Sequence, residues 1–151
     1  MLNLKKNKNK IIIGTAQLSS SYGVANFTNK KLNKKKIFKF LDFCLSNNFL
    51  QFDTAYGYSN EKLLGEYLKK NQLKKKIKII SKIPSIYSKS PNKKIEFINK
   101  SIKKILDNLN YNLDTILFHD QRDALFVLNN FKVIKKIIFS YKIKNIGFSI
   151  Y

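Results

Sequence analysis

Phe52-Asp53-Thr54-Ala55-Tyr56-Gly57-Tyr58 is the stretch on which the reading of this chain turns. It closes an apolar run that begins at Phe49, and it leads into Ser59-Asn60, residue types that cap the free amides at the start of a helix. An acid therefore stands at the last position of a predicted strand, Phe49 to Asp53, with Tyr58 in the loop that follows. Working outward, the pattern returns twice. Ser81-Lys82 closes the run Ile77 to Ser81, and His119, the single histidine, follows the run Thr115 to Phe118. Two further runs, Ile11 to Gly14 and Asn145 to Phe148, bring the predicted strands to five.

Helical spacing fills the intervals. Lys31 to Asn47 carries Ile37, Phe40, Leu41, Cys44 and Leu45 on one side and lysines on the other. A second helix starts at Ser59 or Asn60, with Glu61 in its first turn and Leu63, Leu64, Tyr67 and Leu68 as its apolar face. A third has Ser90 as cap, Pro91 in the first turn and a stripe from Ile95 to Leu109. A fourth lies between Arg122 and Tyr141, interrupted near Asn129-Asn130, with Leu125, Leu128, Val133, Ile134 and Ile137 turned inward. Strand starts recur roughly every 30 to 40 residues, the βαβ rhythm of a parallel sheet flanked by helices. The polar loop Gln17 to Asn29 is placed to be a site loop, and every candidate reactive group falls on the carboxyl side of a strand. Parallel α/β folds put their active sites there.

Composition bounds the rest. With 151 residues and 44% hydrophobic content, the chain, residues 1–151, is read as one domain with its own core. The 30 basic residues against 9 acidic give a formal charge of +21, which raises polyanions as partners. Arg122 is the only arginine, however, and lysines scattered among asparagines and isoleucines read as solvated faces with weak, salt-sensitive binding rather than a specific nucleic-acid site. Cys44, the sole cysteine, sits on an apolar helical face and is expected in the core. The basic segment Met1 to Lys10 lacks the apolar run of a leader or a spanning helix, so a cytoplasmic location with no membrane association is expected. One His, one Cys and few carboxylates argue against a metal site, and neither a G-x-G-x-x-G nor a P-loop pattern is present.

Asp53, Tyr58, Lys82 and His119 together suit proton donation to a carbonyl. A tyrosine titrates near about 10 and is a poor acid at neutral pH, and a lysine ammonium alongside stabilises the phenolate. Lys82 would do this, Asp53 would hold the ammonium as its ion-pair partner, and His119 would orient the carbonyl. Each residue also has a plainer role open to it. Asp53 can cap a turn, His119 can bond nearby backbone, and Tyr56 competes with Tyr58. No side chain here is a hydride source, so a reduction would need a nicotinamide cofactor.

Gly14-Thr15-Ala16-Gln17, Asp53-Thr54-Ala55 with Tyr58, Glu61 and Gly65, Ser81-Lys82, Phe118-His119-Asp120 and Ile146-Gly147-Phe148-Ser149 follow in the order of the aldo-keto reductase motifs, and the chain resembles that family over nearly its whole length. The resemblance implies a TIM-type parallel (β/α) barrel and NADP(H), or NAD(H), as cofactor. It further implies small carbonyl or alcohol substrates and a catalytic tetrad of Asp53, Tyr58, Lys82 and His119 with Tyr58 as the proton donor. It places Thr15, Ala16, Asp53 and Ser149 beside the nicotinamide end of the cofactor. The chain departs from the pattern at Ile150, where many members have Asn after the strand-five Ser.

The family barrel has eight strands and five are read here, from the first strand through the fifth, so the expected domain is an incomplete, truncated barrel. It is expected to be inactive on its own, without the later strands that bind the adenosine and its phosphate. The alternative is a noncatalytic half-barrel that acts through self-association at its open sheet edges, or through completion by another chain. A lysine-rich nucleic-acid binder ranks third, because no RNA-binding motif is present.

Overall fold

Five short parallel strands lie side by side in chain order in the computed structural model, which describes residues 10–18, 32–58, 60–71 and 77–150. They are β1 (Ile13–Gly14), β2 (Gln51–Asp53), β3 (Lys78–Ile83), β4 (Thr115–Phe118) and β5 (Asn145–Phe148). Doubly wound sheets reverse their strand order at a switch point. Here the order runs β1-β2-β3-β4-β5 without reversal, as in a (β/α) barrel, and the five strands form an incomplete one. Between them come α1 (Lys34–Ser46), α2 (Glu61–Lys70), α3 (Pro91–Leu109), α4 (Ala124–Asn129) and α5 (Phe131–Ser140).

The parity of each strand decides what faces what. Register pairs Phe52 with Ile79, Ser81 with Ile116, and Ile83 with Phe118, so these residues share one face of the sheet. Phe52, Ile79, Ile83, Ile116 and Phe118 on that face are buried, packed in one core with Leu41, Cys44, Leu64, Ile98, Ile102, Ile105 and Ile134 from the helices. The other face carries Asp53, paired with Ile80, and Lys82, paired with Leu117. Adjacent residues Ser81 and Lys82 therefore point to opposite sides, one to the helix layer and the other to the barrel interior.

α2 and α3 meet at Gly65. A Cβ there would lie 2.3 Å from the Leu109 carbonyl oxygen and 2.7 Å from that of Asn108, so only a glycine lets the helices approach this closely. α3 ends at Asn110, in the left-handed conformation at φ 44°, whose N–H donates to the Leu106 carbonyl.

Several expectations from sequence need correction. β3 extends to Ile83, so Lys82 lies within the strand rather than beyond it. α1 begins at Lys34, where Asn33 accepts from the Lys36 N–H at 2.9 Å, and Phe40 is exposed rather than part of its buried stripe. The fourth helical stretch is two helices broken at Asn130. The break rotates their faces: Val127, Ile134 and Ile138 are buried, whereas Leu125, Leu128 and Val133 are 72%, 62% and 52% exposed. Ser90 precedes α3 in an extended conformation without a side-chain cap bond. Ser59 and the site loop from Ser19 onward lie outside the described residues, as does Met1 to Asn9.

Candidate active site at the carboxyl rim

β3 and β4 end together at Ile83 and Phe118, β2 ends lower, with Asp53 beside Ile80, and the interior-facing residues near these ends converge. Lys82 is 6% exposed, and its ammonium is paired with the Asp53 carboxylate and donates to the Thr54 carbonyl at 3.0 Å. A nearly buried ammonium is tolerable only with such partners. The chain after Asp53 turns through a single 3-10 turn, Tyr56–Tyr58, which lays the Tyr58 ring over Lys82 with Nζ 5.3 Å from its centroid. The His119 ring, one residue past β4, meets Tyr58 edge-on at 6.3 Å between centroids and 86° between planes. Asp53, Tyr58, Lys82 and His119 thus form one continuous cluster. Tyr56 lies on the outside of the turn, exposed.

Electrostatics fix the state of the imidazole. Burial holds the His119 pKa below the ordinary histidine value and the Lys82 charge pushes it the same way, against smaller opposite contributions from Asp53 and Asp120. At neutral pH His119 is therefore a neutral ring, able to donate one N–H.

The cluster rests on a polar support that the sequence did not reveal. Asn60 is buried; its amide donates to the Thr15 carbonyl at 2.5 Å and to the Thr15 hydroxyl at 3.1 Å, and its oxygen accepts from the Thr54 hydroxyl at 2.7 Å. The Thr15 hydroxyl donates in turn to the Asp53 carbonyl at 2.9 Å. Asn60 precedes α2 without making a side-chain cap bond, because its carboxamide is spent on tying the end of β1 to the turn that carries Tyr58. Its position before a helix signals a cap, and nothing local distinguishes the two uses. On the helix side, Glu61 accepts from Ser81 at 2.8 Å and from Asn108 at 3.3 Å, and burial raises its pKa despite these bonds.

The expected cofactor neighbours are distributed unevenly. Ala16 and Ser149 are half-buried at the carboxyl ends of the two outer strands, and the Ser149 N–H donates to the Phe118 carbonyl at 2.9 Å. Thr15 is buried with its hydroxyl already committed, and Asp53 is 28% exposed beside Lys82. These residues suit the nicotinamide end of a dinucleotide in part, with Ala16, Ser149 and Asp53 accessible and Thr15 supporting from below. Beyond His119 an open depression of about 370 Å³ is lined by Ser85, His119, Asp120 and Gln121.

The model of the aldo/keto reductase family matches residues 10–151. The chain belongs to that family. A proposed aldo-keto reductase from Pseudomonas aeruginosa superposes with a TM-score of 0.71 at 20% identity, covering 91% of this chain and 54% of that one. An aldo-keto reductase from Bacillus halodurans in its holo form gives 0.68 at 18% identity, covering 92% and 45%. The aldose reductase from Schistosoma japonicum gives 0.62 at 21% identity, covering 91% and 48%. At these identities the likeness to the solved structures is one of fold, and this aldo/keto reductase chain spans about half their length. No curated protein sequence is significantly similar to it.

Proposed function

We propose that this chain carries the catalytic tetrad of an NADP(H)-dependent carbonyl reductase, with Tyr58 as proton donor and Lys82, Asp53 and His119 as its partners. One observation carries the reading: a nearly buried ammonium, paired with Asp53, sits against the ring of Tyr58, which meets the only imidazole edge-on. Charge developing on the phenol as it gives up its proton is stabilised by Lys82. The neutral His119 ring orients the carbonyl oxygen through a donated N–H, and Asp53 keeps the ammonium fixed. A bound NADP(H) would supply the hydride, with Ala16, Ser149 and Asp53 at its nicotinamide end and Thr15 bracing them. The substrates are small carbonyl compounds, or alcohols in the reverse direction. Among the described residues no helix is long and apolar enough to cross a membrane, which fits the cytoplasmic setting we propose.

Turnover by the 151 residues alone should be slight, since the superposed reductases have about as much chain again. Whatever turnover an NADPH assay over aldehydes and ketones detects should fall by at least about a hundredfold in Tyr58→Phe, the usual loss for a missing general acid. A second test needs no turnover. His119 is the only histidine, so its ring protons report on the site alone. Its pKa should rise in Lys82→Met and fall in Asp53→Asn, because these charges act on it in opposite directions. An imidazole indifferent to both substitutions, or turnover unaffected in Tyr58→Phe, defeats the proposal.

A further inference from the structure

Asn60 opens α2 with its backbone, whose carbonyl accepts the Leu64 N–H at 2.9 Å, while its side chain serves a buried ring of polar groups instead of a cap. That ring runs from Asn60 to Thr54, along the chain to Asp53, from the Asp53 carbonyl to the Thr15 hydroxyl, and from Thr15 back to Asn60. Thr54 is fully buried, and Thr15 and Asn60 are each 1% exposed. The partners decide which end of the carboxamide faces which. The Thr15 carbonyl can only accept, so the Asn60 nitrogen must face it, and the oxygen is left for the Thr54 hydroxyl. Aspartate, which precedes helices as readily, has no donor for that carbonyl. Asparagine is used here for its two unlike ends.

The arc of chain between Thr54 and Asn60 carries Tyr58. Thr54 is fixed at one end, where its N–H donates to the Ile80 carbonyl at 2.8 Å and its own carbonyl accepts from the Lys82 ammonium at 3.0 Å. Asn60 is fixed at the other end by the first hydrogen bond of α2. The 2.7 Å bond between the two side chains closes the arc as a clasp, with the 3-10 turn of Tyr58 held between. Inside that turn the Tyr58 N–H donates to the Ala55 carbonyl at 3.0 Å, which sets the local shape but not where the turn stands over Lys82. Thr54 meets the ammonium through its carbonyl and the clasp through its hydroxyl, so ring and ammonium are referred to the same residue. Such alignment matters, because a misplacement of about 1 Å can cost about a hundredfold in rate.

We propose that Asn60 is a positioning residue for the proton donor: its carboxamide, bonded to Thr54 and to the end of β1, sets where Tyr58 stands against Lys82 and His119. This rests on the reading of Tyr58 as the proton donor and adds the residue, outside the tetrad, that presents the phenol. Through the Thr15 carbonyl the same carboxamide holds the strand end that leads to Ala16, so the donor and the proposed nicotinamide end of the site are tied by one group.

The test reads the folded site directly, by NMR on the full 151-residue chain. The His119 and Tyr58 rings meet edge-on at 6.3 Å between centroids, so a nuclear Overhauser effect should join their ring protons, the Tyr58 signals being assigned from Tyr58→Phe. Thr54→Val keeps the shape of the side chain and removes the hydroxyl that reaches Asn60, whereas Thr54→Ser keeps the hydroxyl. In Thr54→Val and in Asn60→Ala the effect between the rings should weaken by at least about threefold, given its steep fall with distance and a displacement of about 1 Å. Thr54→Ser should keep most of it. Circular dichroism checks that each variant is folded; if Asn60→Ala is not, the two Thr54 variants decide alone. A residue that served only to stabilise the fold would lower a urea midpoint and leave this contact between rings unchanged. An effect undiminished in Thr54→Val, or as weak in Thr54→Ser as in Thr54→Val, overturns the proposal and leaves the tetrad reading standing. A wild-type chain with no such effect between the two rings defeats both.

Discussion

Replacing Gly65 by alanine separates two opposing effects whose balance the structure decides. In an open helical site the change gains roughly 1 kcal/mol, because alanine restricts the unfolded chain and favours the helix. At Gly65 the new Cβ would stand 2.3 Å from the Leu109 carbonyl oxygen and 2.7 Å from that of Asn108. Both obstacles are backbone at the end of α3, so no side chain can rotate away. Ordinary contact begins near 3.4 Å, and α2 must therefore retreat from α3 by roughly 1 Å. That retreat loosens the buried contacts of Leu64 and Leu68 and stretches the Asn108 bond to Glu61, already 3.3 Å. Overpacking a close contact costs about 1–3 kcal/mol, and the movement forfeits dispersion contacts besides, so after the helix gain a net loss of about 1–2 kcal/mol remains. Urea denaturation followed by far-ultraviolet circular dichroism should show the midpoint lowered by about 0.5–1 M at a typical slope. A Gly65→Ala protein as stable as the parent, or more stable, would show that the close approach of α2 to α3 does not exist.

Lys142 follows α5 at φ 61°, a left-handed position that suits glycine, so Lys142→Gly should raise unfolding stability by about 0.5–1 kcal/mol in the same denaturation assay. The lowered His119 pKa means that on acidification the unfolded chain takes up this proton first. Stability from this group is complete above about pH 6.5 and is lost as pH falls through the folded value, and His119→Asn should flatten that limb of a stability–pH curve. Glu61 has the opposite sign: with its pKa raised by burial, it contributes fully below the ordinary value of 4.5 and loses that contribution as pH rises, so Glu61→Gln should remove a decline that sets in as pH rises above 4.5. A double-mutant cycle of Lys82→Met and Asp53→Asn should give a coupling of about 1–2 kcal/mol, short of a fully buried pair because Asp53 retains 28% exposure.

The sequence was most legible where pattern and burial coincide. Thr115–Phe118 and Asn145–Phe148 stand out because short apolar runs bounded by polar residues are what a sheet end imposes. The order Asp53, Tyr58, Lys82, His119 was readable because Asp53, Lys82 and His119 lie at or next to strand ends, Tyr58 follows in the turn after β2, and strand ends in a parallel sheet are neighbours in space. Periodicity failed at Leu125, Leu128 and Val133, since a helix continued through Asn130 would present a different face from the two short helices that form there. Asn60 was legible only as a cap, because its partners Thr15 and Thr54 are set by the tertiary arrangement of β1 and β2, which no local window contains.

The pairing of Ser81 with Lys82 shows how little sequence such a site requires. Strand alternation sends Ser81 to the helix layer, where it meets Glu61 at 2.8 Å, and sends Lys82 to the interior, where it meets Asp53 and Thr54. Glu61 directly follows Asn60, and Asn60 holds Thr54 and Thr15. Glu61 thus holds one face of β3 directly, and Asn60 reaches the other only through Thr54, whose carbonyl accepts from Lys82. A one-residue slip of β3 would expose Lys82 to the apolar helix layer and leave Glu61 buried without Ser81. Both errors carry the cost of an unpaired buried polar group, so the register that assembles the site is also the one in which Lys82 and Glu61 both keep their partners.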